Sequence, residues 1–265
     1  MLWDVFPDGE HFGGAPANVA VHAAGLGADA LMISAVGTDA RGDEALQRLA
    51  ACGVNCSAVA RLADHATGVV HVRIDAAGLP SYDIARGSAW DFIPWTAPVE
   101  RAAQRADAIC FGTLAQASAE SRATIRRAVA ATRAAAWRLF DVNLRQTYYD
   151  AGLVVASLDL ANAVKLNEEE LPVVARLCGL ESVTPVEQLR ELCGRFGLRL
   201  AALTALRVYG RLPRRGPRSW IRWARATPSA PRYSWGFLPA SRSMKSTGAR
   251  TRWRRTCAQR RERRR

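Results

Sequence analysis

From residue 98 to residue 204, short apolar runs of β-forming residues alternate with helix-forming stretches, and no other feature narrows the fold as sharply. Helical patterns at 98–106, 120–136, 153–158, 168–177 and 185–196 are interleaved with strand-like runs at 108–111, 138–142, 163–166 and 198–204. A helix between two strands returns the chain to the same edge, so successive strands run in one direction. The pattern therefore predicts an α/β fold, a mostly parallel sheet covered by helices on both faces. Ligands of such sheets sit beyond the carboxyl ends of the strands. The informative residues fall there: Asp4, Gly13-Gly14, Gly112-Thr113, 141–145 and 167–170.

Upstream, residues 2–6 read as a strand end, with Pro7-Asp8-Gly9 as its turn. Gly13-Gly14 then carries no Cβ, so a ligand can approach the backbone and φ can turn positive. Pro16 suits a first helical turn, and Asn18 sits where its amide can reach back into the loop. Val19, Ala20, Val21, Ala23, Ala24 and Leu26 make the following helix apolar on nearly every face, which predicts burial. A strand at 30–36 and a helix opened by Gly42-Asp43-Glu44 follow. Residues 54–90 interrupt the alternation: 69–74 and 79–85 are β-rich around a turn at 75–78. Such an inserted hairpin or small sheet is a natural β-lid.

Hydrophobic content of 49% with 23% charged residues fits an ordinary globular protein. The formal net charge of +13 suggests a nucleic-acid partner until the charge is located. Residues 1–204 hold 18 Lys and Arg against 23 Asp and Glu, whereas residues 205–265 hold 19 against one. The basicity belongs to the tail, so nucleic acid is not the expected partner of residues 1–204. Six dispersed cysteines, at 52, 56, 110, 178, 193 and 257, lack zinc-finger spacing and read as reduced thiols. With no basic-then-apolar leader and no apolar run near ~20 residues, a cytoplasmic location and no membrane attachment are expected.

Three motifs remain. GGAPAN (13–18) precedes a helix and then GTDARG (37–42); FDVNLR (140–145) ends a strand; KLNEEEL (165–171) runs from a strand into a helix. Asp141, Asn143 and Arg145 place an acceptor, an amide and a cation on one loop. Asn167 is a natural N-cap, and Glu170 three residues on can complete the cap reciprocally. Each has an ordinary structural explanation when taken singly, a tight turn into a core helix or a capping box.

Together, in this order, they resemble the ribokinase/fructokinase-type (PfkB) carbohydrate kinases over roughly residues 2–204, most closely the fructokinase-like branch. The resemblance implies a ribokinase-like core at 1–204 with a β-lid at 54–90, and phosphoryl transfer from ATP to a sugar hydroxyl. It implies that Asp4, Gly13, Gly14 and Asn18 hydrogen-bond the sugar, and that Asn143 and Arg145 lie near the phosphate path. Asn167 and Glu170 match an NxxE element that organises Mg²⁺ and its waters around the nucleotide. A homodimer through the β-lid is a further implication.

The family's proton-accepting Asp lies in GAGD, which this chain lacks, as it lacks a P-loop GxxxxGK[ST]. Past Thr204 the periodicities disappear. Residues 205–265 hold four of the eight tryptophans, and 18 of their 19 basic residues are Arg, as GC-rich codons read out of frame would give. The tail is expected to be disordered or out of frame, the kinase truncated and its activity impaired. Two other readings stand beside this one: a carbohydrate-binding remnant without catalysis, and nucleic-acid binding through the basic, Trp-bearing tail.

Overall fold

The computed structural model describes residues 1–6, 9–74, 80–205 and 220–225. Leu2–Phe6 (β1) and Gly9–Gly13 (β2) form an antiparallel pair, and Ala15–Gly25 (α1) follows. Leu31–Gly37 (β3), Ala40–Ala51 (α2) and Asn55–Leu62 (β4) make a parallel β–α–β unit. Val69–Ile74 (β5) and Pro80–Ile84 (β6) are an antiparallel pair. The alternation then runs through Ala97–Arg105 (α3), Ala108–Phe111 (β7), Ala119–Ala130 (α4), Trp137–Asp141 (β8), Ala151–Leu160 (α5) and Ala163–Asn167 (β9). Glu170–Cys178 (α6), Pro185–Arg195 (α7), Leu200–Ala205 (β10) and Trp220–Arg225 (β11) complete it.

Local chemistry starts and stops the helices. The Asp39, Thr96, Asp150 and Thr184 side chains each accept a backbone N–H in the first turn of α2, α3, α5 and α7. Pro98 and Pro185 occupy first-turn positions that have no N–H to lose. Gly179, at φ 61°, ends α6 in the left-handed conformation.

Three sheets result, with strand orders β2-β1-β5-β6, β3-β4 and β11-β10-β9-β8-β7. β7 to β10 are mutually parallel, as the alternation requires, and β1 also joins β5 in parallel. Phe111, Phe140, Val142, Val164, Leu166 and Ala201 present one face of the large sheet to α4–α7 and form the main core with Leu158, Leu171, Val174 and Leu192. A second cluster packs α1 and α2 on Met32 and Val36 of β3. Among the described residues no helix is long and apolar enough to cross a membrane.

Five features differ from the sequence expectations. The chain from Gly9 to Gly13 is a strand rather than part of a loop, because it ladders onto β1. In α1 only Ala17 and Ala20 are buried, and Val19 and Leu26 face solvent. Small alanines made the helix look apolar all round, while one narrow stripe suffices to seat it. β4, inside the span expected for the lid, is a core strand beside β3, and the small sheet instead recruits β1 and β2. α4 stops at Ala130: the Thr132 hydroxyl turns back to the Val129 carbonyl, and the chain must turn there to enter β8. Finally, β11 lies antiparallel along β10, with Thr204 opposite Ile221, where no strand was expected. The rest of the tail expectation falls outside the described residues.

Candidate functional site

Asp4 sits in mid-β1, directly across the ladder from His11 of β2. Its carboxylate lies over Gly13: a Cβ built on Gly13 would come within 2.8 Å of Asp4 Oδ2. Any side chain there would push the carboxylate aside, so glycine is what lets Asp4 lie over this backbone. Gly14 follows at φ 105°, a backbone that L side chains rarely adopt, and its carbonyl accepts the Asn18 N–H at 3.0 Å. Partial burial pushes the Asp4 carboxyl above its ordinary range, against the attraction of His11 and Arg145. Arg145 is thus within electrostatic reach of Asp4 although 141 residues separate them. Asn18 is exposed on the first turn of α1.

The opposite side of the site is the pair of loops leaving β8 and β9. The buried Thr113 hydroxyl, beyond the end of β7, donates to the Val142 carbonyl at 3.0 Å and lies 3.3 Å from that of Asn143, fixing where the β8 loop begins. Asn143 and Gln146 both have positive φ, 40° and 48°, so the segment carrying Arg145 is tightly wound. Asp141 is committed elsewhere: it pairs with Lys165, its register partner on β9, at 3.0 Å. Of the acceptor, amide and cation expected together on this loop, the acceptor is therefore taken up within the sheet.

Asn167 and Glu170 form the reciprocal cap that their spacing predicts. Asn167 Oδ1 accepts the Glu169 and Glu170 N–H groups at 2.9 and 2.8 Å, and Glu170 Oε2 accepts the Asn167 N–H at 2.8 Å. The sequence does not reveal the third partner: Glu170 Oε1 accepts the Leu144 N–H at 3.1 Å, so this buried carboxylate ties the β9 loop to the β8 loop. With one N–H on each oxygen, each oxygen keeps one free lone pair. That donor set suits a cation that keeps its water shell and does not suit one stripped of water. Among the described residues no three His, Cys, Asp or Glu side chains gather as a metal cluster.

GTDARG proves structural. Asp39 accepts the Gly42 N–H, the Thr67 N–H and the Thr67 hydroxyl, all within 2.7–2.8 Å. Burial works against its charge, but these bonds to Thr67 and Gly42, with Arg41 nearby, hold its carboxyl below the ordinary value. Burial pushes the Cys110 thiol up to about 12 and Cys193 up to about 11, so both stay protonated and inert.

The structure thus brings Asp4, Gly13 and Gly14 together at one end, and Asn143, Asn167 and Glu170 at the other. Arg145 donates to the Leu144 carbonyl at 3.0 Å and acts electrostatically on Asp4. Sequence reasoning missed Gln146 and Tyr148. The Gln146 amide donates to the Tyr82 carbonyl, and the Tyr148 hydroxyl donates to the Ile84 carbonyl at 3.3 Å. Their spacing of two, immediately after FDVNLR, was the available signal.

The fructokinase of Salmonella typhimurium is 35% identical over 183 residues, covering 65% of this chain and 59% of that protein. The crystal structure of the Vibrio cholerae O395 fructokinase in apo form superposes with a TM-score of 0.67 at 26% identity, covering 91% of this chain and 78% of that one. The same enzyme in fructose-, ADP- and calcium-bound form gives a TM-score of 0.63 at 25% identity, over 86% and 71% of the two chains. The chain spans little more than half the length of the curated relatives it matches. Residues 8–204 match the family described as pfkB family carbohydrate kinase, and this chain belongs to that family.

Proposed function

We propose that residues 1–204 form the sugar-holding part of a fructokinase-like kinase, with fructose as the sugar and ATP as the phosphoryl donor. The observation that carries this reading is the Asp4 carboxylate held over Gly13 with Arg145 in electrostatic reach. A fixed acceptor at a backbone open for want of a side chain suits a polyhydroxylated ligand. An exposed cation beside it, its guanidinium donating to the Leu144 carbonyl at 3.0 Å, suits a transferred phosphoryl group. Asp4, Gly13, Gly14 and Asn18 line the sugar's side in this reading, Asn143 reaches the sugar from the β8 loop opposite, and the sheet β2-β1-β5-β6 acts as the lid. Glu170 and Asn167 hold the nucleotide's Mg²⁺ through water, the ion supplying charge neutralisation when bound. A second copy pairs along β2, the end strand of the small sheet among the described residues, because the outer carbonyls of Tyr82 and Ile84 on β6 are already taken by Gln146 and Tyr148.

Turnover is slow in this reading. The GAGD motif that carries the family's proton acceptor occurs nowhere in the 265 residues, so sugar binding outlasts catalysis. Titration calorimetry with fructose, beside an ATP-consumption assay over a sugar panel, tests both halves. The wild type should bind fructose and consume little ATP. Gly13→Ala should weaken binding at least about tenfold by displacing the Asp4 carboxylate, with a nearly unchanged melting temperature, since the atom displaced is the end of a flexible side chain. Absence of fructose binding by the folded wild type overturns the sugar reading, and brisk fructose-dependent ATP consumption overturns the impairment.

A further inference from the structure

The small sheet ends on β6, and an outer strand exposes every second carbonyl. Tyr82 and Ile84, two residues apart, are those outward groups, since both carbonyls are reached from outside the sheet. The donors are the Gln146 amide to Tyr82 and the Tyr148 hydroxyl to Ile84, and the offset in numbering is 64 in both cases. Residues 146–148 therefore run alongside β6 in the same direction, satisfying the edge with side chains in place of a strand's own N–H groups. The series continues one step further. Arg86, two residues past Ile84, places its guanidinium 4.9 Å from the centre of the Tyr148 ring and pairs with buried Asp91 at 3.1 Å.

Arg145 stands between two anchors. The residue before it, Leu144, donates its N–H to Glu170 of the core, and the residue after it, Gln146, holds the edge of β6. Gln146 does this from φ 48°, a conformation a non-glycine residue keeps only where its surroundings impose it. We infer that Gln146 and Tyr148 are positioning residues, a latch that makes the edge strand β6 and the loop 143–148 loosen and tighten as one unit, and so keeps Arg145 within reach of Asp4 on the same sheet. The consequence for sugar binding rests on the function proposed above; the latch itself does not.

Hydrogen exchange of the full chain tests it without requiring activity. Gln146→Gly keeps the left-handed backbone and removes the amide, while Tyr148→Phe removes the hydroxyl and keeps the ring beneath Arg86. In Gln146→Gly, exchange of the ladder amides of Asp83 and Ala85 and of the loop amides of Leu144 and Tyr148 should rise together by about three- to tenfold, the factor one net hydrogen bond carries. Tyr148→Phe should raise both by about twofold, in keeping with its longer bond. Unchanged exchange in both variants overturns the latch. So does a rise at Asp83 and Ala85 with Leu144 and Tyr148 left at the wild-type rate, because the two segments would then move independently. Added fructose should slow exchange in both segments of the wild type. If fructose slows neither while the variants behave as expected, the latch stands and the fructose reading falls.

Discussion

The two ends of the candidate site are built by opposite means. The β8–β9 end rests on a large core in which Phe140, Val142, Val164 and Leu166 are fully buried beneath four helices. The small sheet at the other end rests on two thinner layers: Val70, Val72, Ile84 and Trp90 under β5 and β6, and Trp3 packed on Phe12 under β1 and β2. Polar contacts at its margins add to this. Arg41 bonds Glu10 through two nitrogens, the Trp3 indole donates to the Arg41 carbonyl, and Gln146 and Tyr148 hold the far edge. A side with deep apolar burial opens only with global unfolding, whereas one held by a few surface bonds opens locally. A site that joins the two has one rigid wall and one that can yield to a ligand.

The contrast breaks most visibly at Phe140. It stacks on Phe111 with ring centres 5.4 Å apart, inside the main cluster. Phe140→Ala should cost about 3–5 kcal/mol and lower the urea midpoint of the whole domain, followed by far-UV circular dichroism. A loss below about 1 kcal/mol would show that the β8–β9 end is no stiffer than the small sheet.

Glu170→Gln sharpens the comparison at the rigid wall. A carboxylate offers an oxygen to each of the Leu144 and Asn167 N–H groups, whereas an amide side chain offers one oxygen and turns a donor toward the other. One buried N–H is left unpaired, which should cost about 1–3 kcal/mol by chemical denaturation without any nucleotide present. A variant as stable as the wild type would mean that Glu170 serves only a ligand and does not join the two loops.

Legibility followed the same division. The β8–β9 end could be read from the sequence because its determinants are local. Alternating runs gave β7 to β10 and the helices among them, and Asn167 with Glu170 three residues later gave the cap. The small sheet could not be read in that way. β1 looks like any short strand end, and nothing near residues 2–6 announces that it pairs with β5, placing Trp3 beside Val69 and Asp4 beside Val70. β4 carries a single β-branched residue, Val59, and only its pairing with β3 shows it to be a core strand rather than part of the lid. The Asp4–Arg145 attraction and the Glu170–Leu144 bond are products of folding, so the motifs supplied the residues but not their partners. GTDARG shows the limit of a motif match: its Asp39 is spent on Thr67 and Gly42.

The smallest expected effect lies at Asp4, on the yielding wall. Its carboxyl is raised above the ordinary value by burial, which outweighs the pull of His11 and Arg145. A carboxyl with a higher pKa folded than unfolded binds protons more readily in the native state. Its charge therefore opposes folding in full above the raised folded value, and that opposition vanishes as the pH falls below about 3.8, the unfolded value. Asp4→Asn should melt slightly higher than the wild type at pH 7, by well under 1 kcal/mol because solvent screens a half-exposed group. The gap should close when both are measured near pH 3.5. If the variant instead melts lower at pH 7, attraction to His11 and Arg145 dominates and the carboxylate helps to hold the small sheet in place. If it melts higher, Asp4 costs the fold stability, and its place over Gly13 is accounted for by what it binds.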